Sequence, residues 1–141
     1  MKFELRRAVS TDELVAGYEH VHHATTLLFL EEGRLAYLEQ IGMPNDQLID
    51  NGQLLVITNL DVQYKREIKG GPITITVDNP RIEGRIIRLE QTIINERSKL
   101  AVKATIESMM MLAQTQRAAV PPKEFIAVSY THLTLPTIYS V

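Results

Sequence analysis

Between residues 24 and 41 the apolar positions recur at spacings of three and four, whereas beyond residue 54 they alternate with polar ones. That change of period separates one helix from a set of strands. The helical stretch, ATTLLFLEEGRLAYLEQI, runs from Ala24 to Ile41 in good helix formers, with Gly42 placed to end it and Gly33 as its one weak position. Its apolar residues fall on two series, Ala24, Leu28, Leu35, Leu38 and Leu27, Leu30, Tyr37, Ile41, which leaves most of the circumference apolar and predicts a buried helix. Thr25, Glu32 and Glu39 form a polar flank for solvent or a partner subunit. Glu31 completes the first series, so the spacing predicts a carboxylate buried in an apolar stripe.

Residues 3–9, FELRRAV, suit a short strand, while STDELVAGYEHVHH after them and GMPNDQLIDNG after the helix are polar and read as loops. Val56, Leu60, Val62 and Tyr64 then alternate with Ile57, Asn59, Asp61, Gln63 and Lys65, as in a half-buried strand. Gly70, Gly71 and Pro72 mark a turn into the strand of Ile73, Ile75 and Val77, with a bulge expected at Asn79-Pro80. Gly84 marks a hairpin into Ile87, Leu89, Gln91 and Ile93, and the polar residues 95–98 turn the chain into Leu100, Val102, Ala104 and Ile106. One helix followed by an antiparallel meander predicts an α+β class. The long antiparallel sheet curls around one central helix to cover it, the arrangement called a hotdog fold.

A length of 141 residues allows one core and one domain, and 45% apolar with 23% charged residues is a soluble globular composition. A net charge of −2 with scattered Lys and Arg argues against a nucleic-acid partner. The absence of cysteine excludes disulfides, thiolate zinc sites and a cysteine nucleophile. The start, MKFELRRAV, lacks the apolar core of a secretory signal and no run of about 18 apolar residues occurs, so no membrane partner and a cytoplasmic location are expected. The final VSYTHLTLPTIYSV continues no pattern, and its SYTHLTLPT resembles a translated sequencing adapter. The reading is therefore a domain over 1–127 and a non-native tail over 128–141, with the native C-terminus lost.

The stretch EHVHHATTLLFLEEGRLAYLEQIG at 19–42 resembles the signature of the 4-hydroxybenzoyl-CoA thioesterase family, in which a G-H-V-N-N-A-like turn enters a helix with a Y-L-x-x-x-E-x-x-R-like pattern. VQYKREIKGGPITI at 62–75 is similar to the family's V-x-Y-x-R strand and turn, and AVKATIESMMM at 101–111 to its last core strand. The resemblance implies hydrolysis of acyl-CoA or acyl-carrier-protein thioesters without a cofactor. It also implies a homodimer or homotetramer with active sites where subunits meet. The backbone amide of His23 would then polarise the thioester carbonyl, as unsatisfied N–H groups at a helix start are suited to do.

One departure matters. The family places D-x-x-G ahead of its histidine turn, and Ala16 stands where that aspartate belongs. The candidate replacements are Glu31 first, Glu19 second, and Asp12 or Glu13 if the loop is shorter. A carboxylate there would act as general base on water or as nucleophile on the thioester carbon. A structural role for Glu31, holding the loop at the helix start, stays open. His20 takes the family's histidine position as a buried structural or catalytic residue, while His22 and His23 line the entrance. The H-x-H-H cluster beside Glu19 invites a metal, but neighbouring side chains in a tight turn seldom converge on one ion, and no metal is assigned. Tyr64 and Arg66 are candidates for the acyl pocket or for the CoA phosphates, and Met109, Met110 and Met111 for an acyl tunnel. Two other readings remain. A hydratase or dehydratase would pair His20 or His22 with Glu31, and a non-catalytic module would bind the thioester without cleaving it.

Overall fold

The computed structural model describes residues 2–122, Phe125 and the backbone of 138–140. Its elements run β1 (Lys2–Val9), a 3-10 turn at Thr11–Glu13, α1 (His23–Gln40), α2 (Asn45–Asp50), β2 (Gln53–Tyr64), β3 (Gly71–Glu83), β4 (Ile86–Ile94), β5 (Leu100–Leu112), β6 (Arg117–Ala119) and β7 (Ile138–Ser140). They form one sheet in the order β2-β5-β4-β3-β1-β7, with β6 paired to β5, curled around α1 as the alternation of period requires. The other residues of the 128–141 extension lie outside those described; Ile138–Ser140 pair parallel to β1. Among the described residues no helix is long and apolar enough to cross a membrane.

The punctuation follows local chemistry. Gly42, at φ +81, closes α1, with the Met43 N–H donating to the Leu38 carbonyl. The β3–β4 register slips between Asp78 and Arg81, so the Asn79-Pro80 bulge lies where it was expected. Gly84 (φ +63) and Ser98 (φ +61) occupy the two tight turns of the β3-β4-β5 meander.

Three expectations need correction. The meander does not include β2. Residues 65–70 form a crossover rather than a hairpin, because β4 and β5 lie between β2 and β3. That crossover is pinned at the sheet end: the Lys65 and Arg66 N–H groups donate to the Ala101 carbonyl, and the Ile68 carbonyl accepts from Val21. As an edge strand β2 is largely exposed, with Val56, Ile57 and Leu60 about 40% accessible (38%, 42% and 41%). Residues 45–50, read as a loop, form α2, which buries Leu48.

The third correction concerns α1. Its buried residues are Thr26, Phe29, Leu30, Gly33, Tyr37 and Leu38, whereas Leu28 is 58% exposed and Glu31 is exposed beside Leu35. Glu31 is thus not a buried carboxylate in the single chain. Gly33 decides which face turns inward, because a Cβ there would sit 2.6 Å from Ile75 Cγ2. The helix lies closest to the sheet where it has no side chain. Below it the inward positions of three strands, among them Ile73, Ile75, Val77, Leu89, Ile93, Val102 and Ile106, form the core. Phe3 meets Tyr37 edge to face at 5.9 Å.

Of the polar flank, Glu32 pairs with Arg7 of β1 at 2.6 Å. Arg7 also holds Glu13 at 2.5 Å and lies 4.4 Å above the Phe29 ring, so one guanidinium ties β1, the following turn and the helix together.

Candidate functional site

The segment before α1 is a small hairpin rather than a plain loop. Leu14 bridges Val21, the Val15 N–H donates to His20 O at 2.8 Å, and Gly17 and Glu19 carry the turn at φ +87 and +58. Val21 in turn donates to Ile68 of the crossover. This strap holds the three histidines against the end of β2 at the first turn of α1.

There His20, His22, His23, Tyr64 and Arg66 line one pocket of about 370 Å³, together with Thr26, Glu67 and Ile68. His22 is the helix N-cap: its Nδ1 accepts from the Ala24 N–H at 3.0 Å, so the ring proton of the neutral side chain sits on Nε2. His20 Nδ1 lies 3.1 Å from the Val21 carbonyl oxygen, which only accepts, so Nδ1 carries a proton and in the neutral tautomer Nε2 is the acceptor. The pair offers one Nε2 donor and one Nε2 acceptor. His23 stacks on His22 at 4.0 Å, and the Tyr64 hydroxyl donates to His23 O at 3.0 Å, fixing the edge strand to the helix start. Burial pushes the Tyr64 phenol above its ordinary range, which keeps that donor protonated. Among the described residues nothing accepts from the His23 N–H. Arg66 Nη1 is anchored on Leu100 O at 2.8 Å, with further donors turned to solvent.

The carboxylates are distributed differently from the expectation. Ala16 is exposed in the hairpin turn, and Glu19 lines neither this pocket nor the apolar cavity farther along α1. Asp12 is exposed. Burial pushes the Glu13 carboxyl up, but the Ser10 N–H and Arg7 together lower it further, so it is committed to an ion pair. Glu31, eight residues along the helix from His23, is about 12 Å away along the axis and lines a different cavity. Glu67 is the carboxylate present in the histidine pocket, and sequence reasoning missed it. The available signal was its place directly after the Y-x-R stretch, at Tyr64 and Arg66. Thr26, missed as well, lies one helical turn beyond His22 and donates to its carbonyl at 3.4 Å. Among the described residues no three His, Cys, Asp or Glu side chains converge as a metal-ligand set. Of Met109, Met110 and Met111, Met110 is buried and its two neighbours half-buried.

A curled antiparallel sheet over one central helix is the hotdog fold, shared with thioesterases of known structure. The chain belongs to the thioesterase-like superfamily, whose model matches residues 11–128. Among solved structures it is similar to a 1,4-dihydroxy-2-naphthoyl-CoA thioesterase from Synechocystis, at 14% identity, TM-score 0.82, over 96% of this chain and 100% of that one. It is similar to a hypothetical protein from Staphylococcus aureus in complex with CoA, at 18% identity, TM-score 0.82, over 98% and 88%. The probable thioesterase YbaW of Escherichia coli is 25% identical, TM-score 0.73, over 89% and 95%. No curated protein matches the sequence significantly.

Proposed function

We propose that this protein hydrolyses acyl-CoA or acyl-carrier-protein thioesters at the histidine pocket, as a homodimer at least. The observation that carries this reading is the His23 N–H, at a residue lining that pocket, which has no acceptor among the described residues. The start of an 18-residue helix is where the developing oxyanion of a tetrahedral intermediate is stabilised best. His22 Nε2–H is a second donor for the same oxygen. Arg66 and Lys65, exposed at the pocket edge, suit the phosphates of a CoA carrier, the ligand of the Staphylococcus aureus protein of like fold.

The attacking water needs a base. Glu31 lies on an exposed stripe with Leu28 and Leu35, and β2 is an edge strand among those described, so a second copy has a surface to cover. In a two-fold antiparallel contact centred on Leu28, residue 31 of one helix faces residue 25 of the other. Glu31 of a second copy then reaches the first turn that it cannot reach within its own chain. It takes the proton from water as the oxygen attacks the thioester carbon, and the CoA thiolate leaves. Within the chain, Glu67 and the His20 Nε2 lone pair are the alternative acceptors.

A second reading has a specific observation behind it: with Ala16 in place of the family aspartate, the pocket would bind a thioester without cleaving it. Free-thiol release from short, long and aromatic acyl-CoAs decides between the two. Turnover lost in Glu31→Gln but kept in Glu19→Gln and Glu67→Gln establishes the carboxylate supplied by the second copy. Tight binding of CoA esters with no thiol release from any of them rejects hydrolysis in favour of the binding module.

A further inference from the structure

A second cavity, of about 210 Å³, lies beside the middle and C-terminal half of α1, away from the histidines. Leu35, Leu38, Leu55, Ile87, Leu89 and Phe125 give it an apolar wall. Into this wall is set a guanidinium. Arg34 is partly buried, and its Nη1 donates to Gln91 Oε1 at 3.0 Å. Gln91 is 1% exposed and donates its Nε2–H to the Leu30 carbonyl at 3.0 Å, so both ends of its amide are engaged in holding the arginine.

Such an arrangement needs a reason. A buried cation loses hydration, and this loss pulls the Arg34 pKa down. Among the described residues no carboxylate lies within ion-pair distance to compensate. Glu31 also lines the cavity and favours the charged arginine through space, but it is exposed and forms no ion pair with it. Arg81, which also lines the cavity, has no hydrogen-bond or ion-pair partner among the described residues either. Among the described lining residues, two guanidinium groups stand against one carboxylate, a net positive charge. Asn45, Ser108 and Tyr37, the neutral polar residues in the lining, do not change it.

We propose that this cavity binds a compact organic carboxylate, its apolar body against the leucine wall and its carboxylate on Arg34. The size fits, since an apolar cavity of about 150 Å³ takes up benzene and this one has room for a ring carrying a charged group. The geometry fits too: Gln91 uses one N–H of the guanidinium and leaves the rest of its fork for a bidentate acceptor. The inference rests on the chain's own cavity and holds whether or not the histidine pocket hydrolyses thioesters.

The test is an NMR titration of the full-length protein with benzoate and with its neutral isostere benzamide. Benzoate is expected to shift signals of Leu38, Leu89 and Ser108 saturably and to bind about tenfold or more tightly than benzamide, the margin of a hydrogen-bonded charge. In Arg34→Gln that preference disappears while benzamide binding persists, which also shows that the cavity is intact; Arg34→Lys keeps part of it. Equal affinity for the two ligands in the unaltered protein overturns the proposal without reliance on any variant. So does a benzoate response confined to residues of the histidine pocket, or a preference that survives in Arg34→Gln.

Discussion

The two faces of α1 carry nearly the same residue types and have opposite fates. One presents Phe29, Leu30, Gly33 and Tyr37 to the sheet, and its apolar members are at most 1% exposed. The other presents Ala24, Leu28, Glu31 and Leu35, and leaves Leu28 58% and Leu35 39% accessible. Apolarity does not distinguish them; the missing side chain at residue 33 does. Where two faces are equally apolar, the one that approaches closest gains the most contacts, and a glycine opposite Ile75 permits that approach. The remaining face is apolar without being needed for the fold, and this is the character of a surface kept for something else.

Among changes of side-chain size, truncation on the inner face should have the largest effect. Phe29→Ala removes a ring buried to 1% that also supports the Arg7 guanidinium, and is expected to lower unfolding free energy by about 3–5 kcal/mol in guanidinium denaturation. A loss under about 1 kcal/mol would mean that the face is not core. Gly33→Ala comes next. Alanine gains about 1 kcal/mol in helix propensity. Against that, its Cβ meets Ile75 Cγ2 at 2.6 Å and Gln91 Nε2 at 3.2 Å, and overpacking of this kind costs typically 1–3 kcal/mol. A net destabilisation of about 1 kcal/mol is expected, and a net gain would show that the approach is not what selects the face.

Gly33 also shows where the sequence was readable and where it was not. The helix, its stop at Gly42, the bulge at Asn79-Pro80 and the turn at Gly84 are local, each specified by residues next to one another, and all could be placed from the sequence. The choice between the two apolar series was not local. It depends on which of them meets Ile75, a residue more than 40 positions away, and treating Gly33 as a weak point concealed the clue. For the same reason the partner of β2 was missed, since nothing between Tyr64 and Gly71 announces that the chain passes over β4 and β5 rather than turning back. In the candidate site the histidines, Tyr64 and Arg66 were legible from a motif. Glu67 was not, because its position comes from the crossover.

The ion pairs on the inner side give a pH-dependent prediction of smaller size. The Ser10 N–H and Arg7 hold the Glu13 carboxyl below its ordinary value despite some burial. A depressed carboxylate contributes stability that is complete above its unfolded pKa of about 4.3 and is lost as pH falls through the lower folded value. Glu13→Gln should therefore be less stable than the unaltered chain near neutrality, by about 1 kcal/mol or less. The difference should close as the pH is lowered past 4, measured as denaturation midpoints across the range. A constant difference at all pH values would assign the effect to packing rather than to charge.

The smallest effect on folding, and the sharpest test of the comparison, comes from placing the same residue on either face. Leu30→Lys buries an uncompensated charge at a site with no accessible surface, and the domain should fail to fold. Leu28→Lys replaces a largely exposed leucine with a good helix former four residues before Glu32. Its effect on the unfolding free energy, measured at a concentration low enough that association makes no contribution, should stay within about 0.5 kcal/mol. Sedimentation at higher concentration should nevertheless show loss of self-association, because the lysines of two copies would meet at the centre of the antiparallel contact. If Leu28→Lys unfolds the isolated chain, the outer face is part of the core after all. If it folds and still self-associates, the copies meet elsewhere, and Glu31 of a second copy does not reach the histidine pocket.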